Sequence, residues 1–124
     1  MSRTKEYLAT MVETYAKTLL WTGMDWDDLD ENYDLDDVAD AAWESMREDC
    51  EAFLESVSQM EGDKVFDRID AEQMGHDFAL TRNHHGAGFW DRGLGVLGDQ
   101  LTALSRPFGE SDLYVGDDGK LYVP

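Results

Sequence analysis

The residues with the most distinctive spacing are carboxylates that recur at steps of three and four in the second quarter of the chain. They are Asp37, Asp40, Glu44, Glu48, Glu51 and Glu55. On a helix this spacing brings the side chains to one side of the rod, with a rise of roughly 5 to 6 Å between neighbours. Successive phosphates of a nucleic acid strand have a comparable separation. The row therefore suits a protein groove that normally holds nucleic acid, although an acidic helix face is more commonly just solvated surface.

Further carboxylates come just before this row, in a segment too acidic to pack and therefore predicted to be a surface loop. They are Asp25, Asp27, Asp28, Asp30 and Glu31. From Asp25 to Glu61 there are fifteen carboxylates and a single basic residue, Arg47. Like charges at helical spacing destabilise a helix when no Lys or Arg pairs with them, so their presence favours a binding role. We predict that the loop and the row together form a partner-binding surface.

The same loop carries part of a calcium-binding pattern. Asp28, Asp30 and Asn32 match the first three ligand positions, but Tyr33 stands where glycine is needed and Ala39 where a bidentate glutamate is needed. We therefore predict no specific calcium site in this loop, where loose association of divalent cations is the stronger alternative, and no metal site or cofactor for the chain.

A second chemically rich segment spans residues 75–93, which contain all three histidines, two arginines, two aspartates and four glycines. As a ligand or catalytic site it would use His76, Asp77, Arg82, His84, His85, Asp91 and Arg92. No recognised zinc spacing results, and the glycines do not form a phosphate loop. The competing interpretation is structural, with turn glycines and with ion pairs of Arg82 and Arg92 to Asp77 and Asp91 that join two strands.

The net charge excludes two classes of partner. The chain has 124 residues, 28 of them acidic and 10 basic, for a formal charge of −18. Such a chain is repelled by nucleic acid phosphates and by anionic membranes, so we predict that it binds neither. Cys50 is the only cysteine, and no apolar run approaches the roughly 20 residues that cross a bilayer. We expect a cytosolic protein with one domain, residues 1–124.

Three amphipathic helices are predicted from apolar residues at steps of three and four. The first runs from Ser2 to about Leu20. The second runs from about Leu35 to Met60, with Asp34 as its N-cap, Gly62 as its terminator and Cys50 on its apolar face. The third, shorter helix runs from about residue 94 to residue 105.

The strands are predicted in the second half. A short helix capped by Asp70 should end near His76, and residues 78–82 and 89–92 should then form a hairpin. Residues 112–115 and 120–123 are two matched runs about a Gly/Asp turn, which is typical of a second hairpin. We therefore predict an α+β fold, with two longer N-terminal helices and a shorter one packed with a small antiparallel sheet of C-terminal hairpins. Residues 1–62 form its acidic helical half and residues 63–124 its α+β half.

The second half resembles a group of small accessory proteins encoded by tailed bacteriophages and related mobile elements. The shared motifs stand here at residues 75–78 (GHDF), 80–83 (LTRN), 85–93 (HGAGFWDRG) and 112–122 (DLYVGDDGKLY). The resemblance implies a phage or mobile-element accessory gene, and it assigns no role to individual residues. Small acidic proteins of that origin include anti-restriction and anti-CRISPR proteins that mimic DNA, which agrees by analogy with the carboxylate row.

Two functions follow as hypotheses. The first is a non-enzymatic phage protein that inhibits a nucleic-acid-binding defence machine, a CRISPR effector or a restriction enzyme, by DNA mimicry in the cytoplasm of the infected bacterium. A homodimer would extend its charge row. The alternative is an accessory protein whose segment 75–93 binds a nucleotide, a metal or a protein partner, with the acidic face only solubilising.

Overall fold

The computed structural model describes residues 2–21, 33–83, 88–89 and 93–124. Within them lie five helices and a two-stranded antiparallel sheet, which confirms the predicted α+β fold. The helices are α1 (Ser2–Trp21), α2 (Asp40–Glu61), α3 (Val65–Arg68), α4 (Ala71–Arg82) and α5 (Val96–Ser105). The strands are β1 (Tyr114–Val115) and β2 (Leu121–Tyr122). No helix in this part of the chain is both long and apolar enough to cross a bilayer.

Helix α4 lies at the centre of the fold and is buried along most of its length. It packs most extensively on α1, and Gly75 lies at their closest approach. A Cβ atom at residue 75 would collide with the carbonyl oxygen of Met11 and lie 3.1 Å from the backbone nitrogen of Tyr15. Glycine is therefore needed here because it lets the two backbones touch.

The predicted strand over residues 78–82 is wrong, because these residues continue α4 to Arg82. Asp70 caps this helix as predicted, since its side chain accepts a 2.8 Å hydrogen bond from the Gln73 N–H. Residues 77–83 are all buried, and a short buried run has no polar face by which helix and strand periods can be told apart. A hairpin between residues 78–82 and 89–92 is consequently excluded, and residues 90–92 lie outside the described part.

Aromatic rings from four parts of the chain form the centre of the core. The ring of Phe53 on α2 stacks on that of Phe78 on α4 with 4.2 Å between centroids. The Phe108 ring meets Phe78 edge-on at 5.2 Å, and Phe89 lies 5.7 Å from Phe53. Cys50 is fully buried in the same core, as its position on the apolar face predicted. Offset and edge-to-face pairs of this kind stabilise a core beyond the area that they bury.

The second predicted helix is interrupted near its start. Residues 35–37 form a 3₁₀ turn in which Asp34 accepts from the Asp36 N–H while Asp37 accepts from the Asp34 N–H, both at 2.9 Å. Val38 then forms a parallel β-bridge with Leu121. Because the Ala39 N–H donates to the Leu121 carbonyl at 2.9 Å, α2 begins only at Asp40. Gly62, with a φ of 79°, ends it as predicted.

The C-terminal hairpin is confirmed, with shorter strands than predicted. Tyr114 pairs with Tyr122 and Val115 with Leu121. Leu121 is fully buried and bridges to Val38, so the sheet is fastened to the start of α2 and has no partner strand in residues 78–82. Helix α5 begins at Val96, two residues later than predicted, and ends at Ser105 before a 3₁₀ turn over 106–108.

Candidate functional site

Five of the predicted carboxylates form one exposed row on α2, which we call the acidic stripe. Its members are Asp40, Glu44, Glu48, Glu51 and Glu55. The opposite side of the helix is apolar and faces the core, where Met46, Cys50 and Val57 are buried. The stripe spans about 22 Å along the helix axis. Asp40 lies in the first turn, where the helix macrodipole favours a negative charge.

Basic side chains scarcely neutralise the stripe. Arg47 forms an ion pair with Glu51, with 3.8 Å between Nη1 and Oε1, and both side chains are about half exposed. Exposed pairs of this kind contribute little stability because water and salt screen them. Within the described residues no ion pair reaches Asp40, Glu44, Glu48 or Glu55.

Asp37, the first of the six residues in the predicted row, does not belong to the stripe. It lies in the 3₁₀ turn before α2, where its carboxylate accepts a hydrogen bond from the Asp34 N–H and closes a capping box. The remaining carboxylates of the predicted surface, Asp25, Asp27, Asp28, Asp30 and Glu31, lie outside the described residues, as does most of the partial calcium pattern.

Arg82, predicted as a candidate ligand residue, is part of the core. Its guanidinium is almost fully buried, and Nη1 donates to Oδ2 of Asp49 on α2 at 2.7 Å and to the Tyr15 hydroxyl on α1 at 3.1 Å. Nε donates to the Gly109 carbonyl and Nη2 to the Phe108 carbonyl, both at 2.8 Å. Every guanidinium nitrogen thus has a partner, and the ion pair runs to Asp49 and not to Asp77 as the strand hypothesis required.

Aromatic rings and the ion pair together keep this buried arginine charged. The guanidinium carbon of Arg82 lies 5.4 Å from the centre of the Phe78 ring and 5.7 Å from that of Phe108. Burial by itself would lower the pKa of Arg82, but the Tyr15 hydroxyl and the Asp49 carboxylate outweigh it and raise that pKa. A buried charge with this many partners is a structural element, because it holds α1, α2, α4 and the 106–108 turn together.

The neighbours of Arg82 in the LTRN motif each fasten a later segment to the end of α4. The Thr81 hydroxyl accepts from the Phe89 N–H at 3.2 Å, and the Asn83 side-chain oxygen accepts from the Ser111 N–H at 2.6 Å. All three side chains of residues 81–83 are buried. Within the described residues the motif therefore supports the structural interpretation of segment 75–93, by a different network from the predicted one.

The other candidates of segment 75–93 divide into two groups. His76 is half-buried, and its Nδ1 lies 3.1 Å from the Thr18 hydroxyl. The same hydroxyl lies 2.8 Å from the Thr14 carbonyl, one turn earlier on α1, so His76 packs against a residue that is bonded within its own helix. Asp77 is fully buried, with a long 3.5 Å contact from Gln73 Nε2. His84, His85, Asp91 and Arg92 lie outside the described residues.

Within the described part of the chain, no group of three His, Cys, Asp or Glu side chains is arranged to hold a metal ion. No protein-family model, curated protein sequence or solved structure matches this chain. Its function must therefore be inferred from its own geometry and charge.

Asp49 is the partner of Arg82 that the sequence interpretation missed. It lies in the acidic run, yet it is the α2 carboxylate next to the buried Cys50, about half a turn of the helix away from the stripe. Its side chain is 36% exposed, whereas that of Arg82 is 3% exposed. Its departure from the three-and-four spacing was the available signal that it serves the core.

Proposed function

We propose that this protein binds the nucleic-acid-binding surface of a basic protein by presenting the acidic stripe in place of a phosphate backbone. The supporting observation is the row of five exposed carboxylates on one helix, of which only Glu51 forms an ion pair among the described residues. A complementary basic groove attracts such a row over a long range and at high rate, and salt weakens the attraction.

The charge density of the stripe supports this proposal. Five carboxylates are distributed over about 22 Å of helix axis, and one strand of B-DNA carries about six phosphates over the same length. The stripe thus resembles one strand of a duplex in charge and length. A neutral or mixed surface would not compete for a groove evolved to hold phosphates.

The rest of the fold supports the stripe mechanically. The apolar side of α2 packs in the aromatic core, the Asp49–Arg82 pair joins α2 to α4, and the Ala39–Leu121 hydrogen bond fastens its first turn to the hairpin. A surface that is already ordered loses little entropy on binding, so more of the electrostatic attraction is available as affinity.

The resemblance of residues 75–93 and 112–122 to phage accessory proteins supplies a context for the target. We propose that the protein is non-enzymatic and acts in the cytoplasm of an infected bacterium. Its target would be a host nucleic-acid-binding defence machine, a CRISPR effector or a restriction enzyme.

The alternative function, a ligand site in segment 75–93, loses Arg82, because that side chain is bonded within the core. It would rest on His76 together with residues outside the described part. No distance in the structure favours it over the acidic stripe.

Affinity capture from host extract tests the proposal with two matched variants. In the first, Glu44, Glu48 and Glu55 are all changed to Lys. In the second, three exposed acidic residues on other helices are changed to Lys instead: Glu6, Glu72 and Asp99. The wild type and the second variant should capture a nucleic-acid-binding protein at low salt and release it at high salt, whereas the first variant should not.

Circular dichroism and thermal unfolding serve to verify that both variants are folded. Capture of the same partner by the stripe variant would overturn the proposal, because the carboxylates would then be dispensable. Equal loss in both variants would also overturn it, since total charge rather than the stripe would then determine binding.

A further inference from the structure

The C-terminal hairpin carries a pair of tyrosines on its outer face. Tyr114 and Tyr122 stand directly opposite each other in the antiparallel register. Their rings are stacked, with 6.0 Å between centroids and 29° between planes. On the other face Leu121 is fully buried, whereas Tyr114 remains 50% exposed. The tyrosine face is therefore available to a partner.

The turn between the strands holds one of these rings in place. Tyr122 donates from its hydroxyl to Oδ2 of Asp118 at 2.7 Å, and the Lys120 N–H donates to Oδ1 of the same carboxylate at 3.0 Å. A Cβ on Gly116 would lie 2.5 Å from the Tyr122 ring, so glycine leaves room for the ring against the turn. These hydrogen bonds lower the pKa of Asp118 and keep its carboxylate charged.

An open cavity of about 460 Å³ lies over this turn. Its lining consists of Tyr114, Val115, Gly116, Asp117, Asp118 and Tyr122, a set that we call the hairpin head. It combines aromatic faces with two carboxylates and includes no basic side chain. Asp117 is exposed and makes no hydrogen bond or ion pair within the described residues.

We propose that the hairpin head binds the guanidinium group of an arginine side chain on the partner protein. Arginine is the cation that most often stacks on aromatic rings, and its planar fork of N–H groups matches a carboxylate. The Tyr114 ring supplies the aromatic face, and Asp117 supplies an acceptor that the fold does not use. This proposal rests on the proposed function, which requires a partner with a basic surface.

The position of the hairpin head connects it to the acidic stripe. Leu121 of β2 accepts from the Ala39 N–H, and the next residue after Ala39 is Asp40, the first carboxylate of the stripe. The strand that carries Tyr122 is thus hydrogen-bonded to the residue just before the stripe. The proposal places an arginine of the partner in the hairpin head and further cations of the same basic surface along α2.

A titration with small molecules tests the site independently of any host target. The probes are N-acetyl-arginine amide and its neutral isostere N-acetyl-citrulline amide, added to the full-length protein and followed by the NMR signals of the tyrosine rings and of the 116–119 amides. The arginine compound should shift the Tyr114 and Tyr122 signals in a saturable manner, and the citrulline compound should not.

Asp117→Asn, with Asp99→Asn as the matched control on α5, locates the carboxylate. Asparagine suits the turn as well as aspartate does, so the hairpin should remain intact. The Asp117 variant should bind the arginine compound roughly two- to fivefold more weakly, as expected for one exposed contact, and the control should bind like the wild type. Absence of saturable shifts, equal shifts with citrulline, or equal binding by the two variants would overturn the site. None of these results would bear on capture by the acidic stripe.

Discussion

Arg82 on α4 and Asp49 on α2 form a 2.7 Å ion pair in which the arginine is almost fully buried and the aspartate is partly exposed. The pair spans 33 positions of sequence. It lies on the side of α2 that faces away from the stripe, so the same helix uses one carboxylate for the core and five for the surface. This division separates the residues that maintain the fold from those proposed to bind a partner.

Replacement of Arg82 should destabilise the fold strongly. In Arg82→Met the Asp49 carboxylate, the Tyr15 hydroxyl and the Phe108 and Gly109 carbonyls lose their donor, and we expect the free energy of unfolding to fall by about 3 kcal/mol. Urea denaturation measures it. The matched control is Arg47→Met, which breaks an exposed pair and should cost no more than about 0.5 kcal/mol. Similar losses in the two variants would contradict a structural role for Arg82.

Neutralising the middle of the stripe should stabilise the protein while weakening its binding. Glu44→Gln with Glu48→Gln removes three repulsive pairs at helical spacing, and we expect a gain of about 1 kcal/mol in the free energy of unfolding at low salt. The gain should shrink as salt is added. Glu72→Gln and Asp99→Asn are the controls, since both remove charges from first helical turns and should give no gain. Loss of stability in the stripe variant would contradict this expectation, because it would show that repulsion among the stripe carboxylates does not destabilise the native helix.

Two tyrosines should make the fold sensitive to alkali. Burial raises the pKa of Tyr7 and of Tyr15 above the ordinary value of 10.0. The unfolded chain therefore loses these protons first, so the stability that they contribute is complete below pH 10 and declines as the pH rises above it. Urea midpoints between pH 8 and about 11 measure the decline. Tyr7→Phe gives up the 2.6 Å hydrogen bond to the Ile69 carbonyl but should show a shallower decline. An equal slope in this variant would contradict the assignment.

Local patterns in the sequence were enough to predict most of the helical framework. The apolar spacing on α1 and α2, the caps at Asp70 and Gly62 and the matched runs of the hairpin are all interactions between residues close in sequence. The strand predicted for residues 78–82 was wrong because a fully buried run shows no hydrophobic periodicity that separates helix from strand. The break before α2 could not be predicted because it depends on a contact with Leu121, which is distant in sequence.

The same distinction applies to the candidate site. The acidic stripe was predictable because a helix alone aligns residues three and four apart. The role of Arg82 was not, since its partners Tyr15, Asp49 and Phe108 come from three other segments that only the folded chain brings together. Composition left segment 75–93 open between a ligand site and a structural network, and the described part of that segment joins α4 to other parts of the fold.

Competition with DNA tests the central claim most directly. The captured partner is titrated with a labelled DNA duplex in the presence of increasing amounts of this protein, at two salt concentrations. DNA mimicry predicts that the apparent dissociation constant for DNA rises linearly with the free concentration of this protein. It also predicts that no complex containing all three components forms, and that Glu44→Lys with Glu48→Lys and Glu55→Lys abolishes the effect. A stable ternary complex of partner, DNA and this protein would contradict the claim, because the acidic stripe would then not occupy the nucleic acid groove.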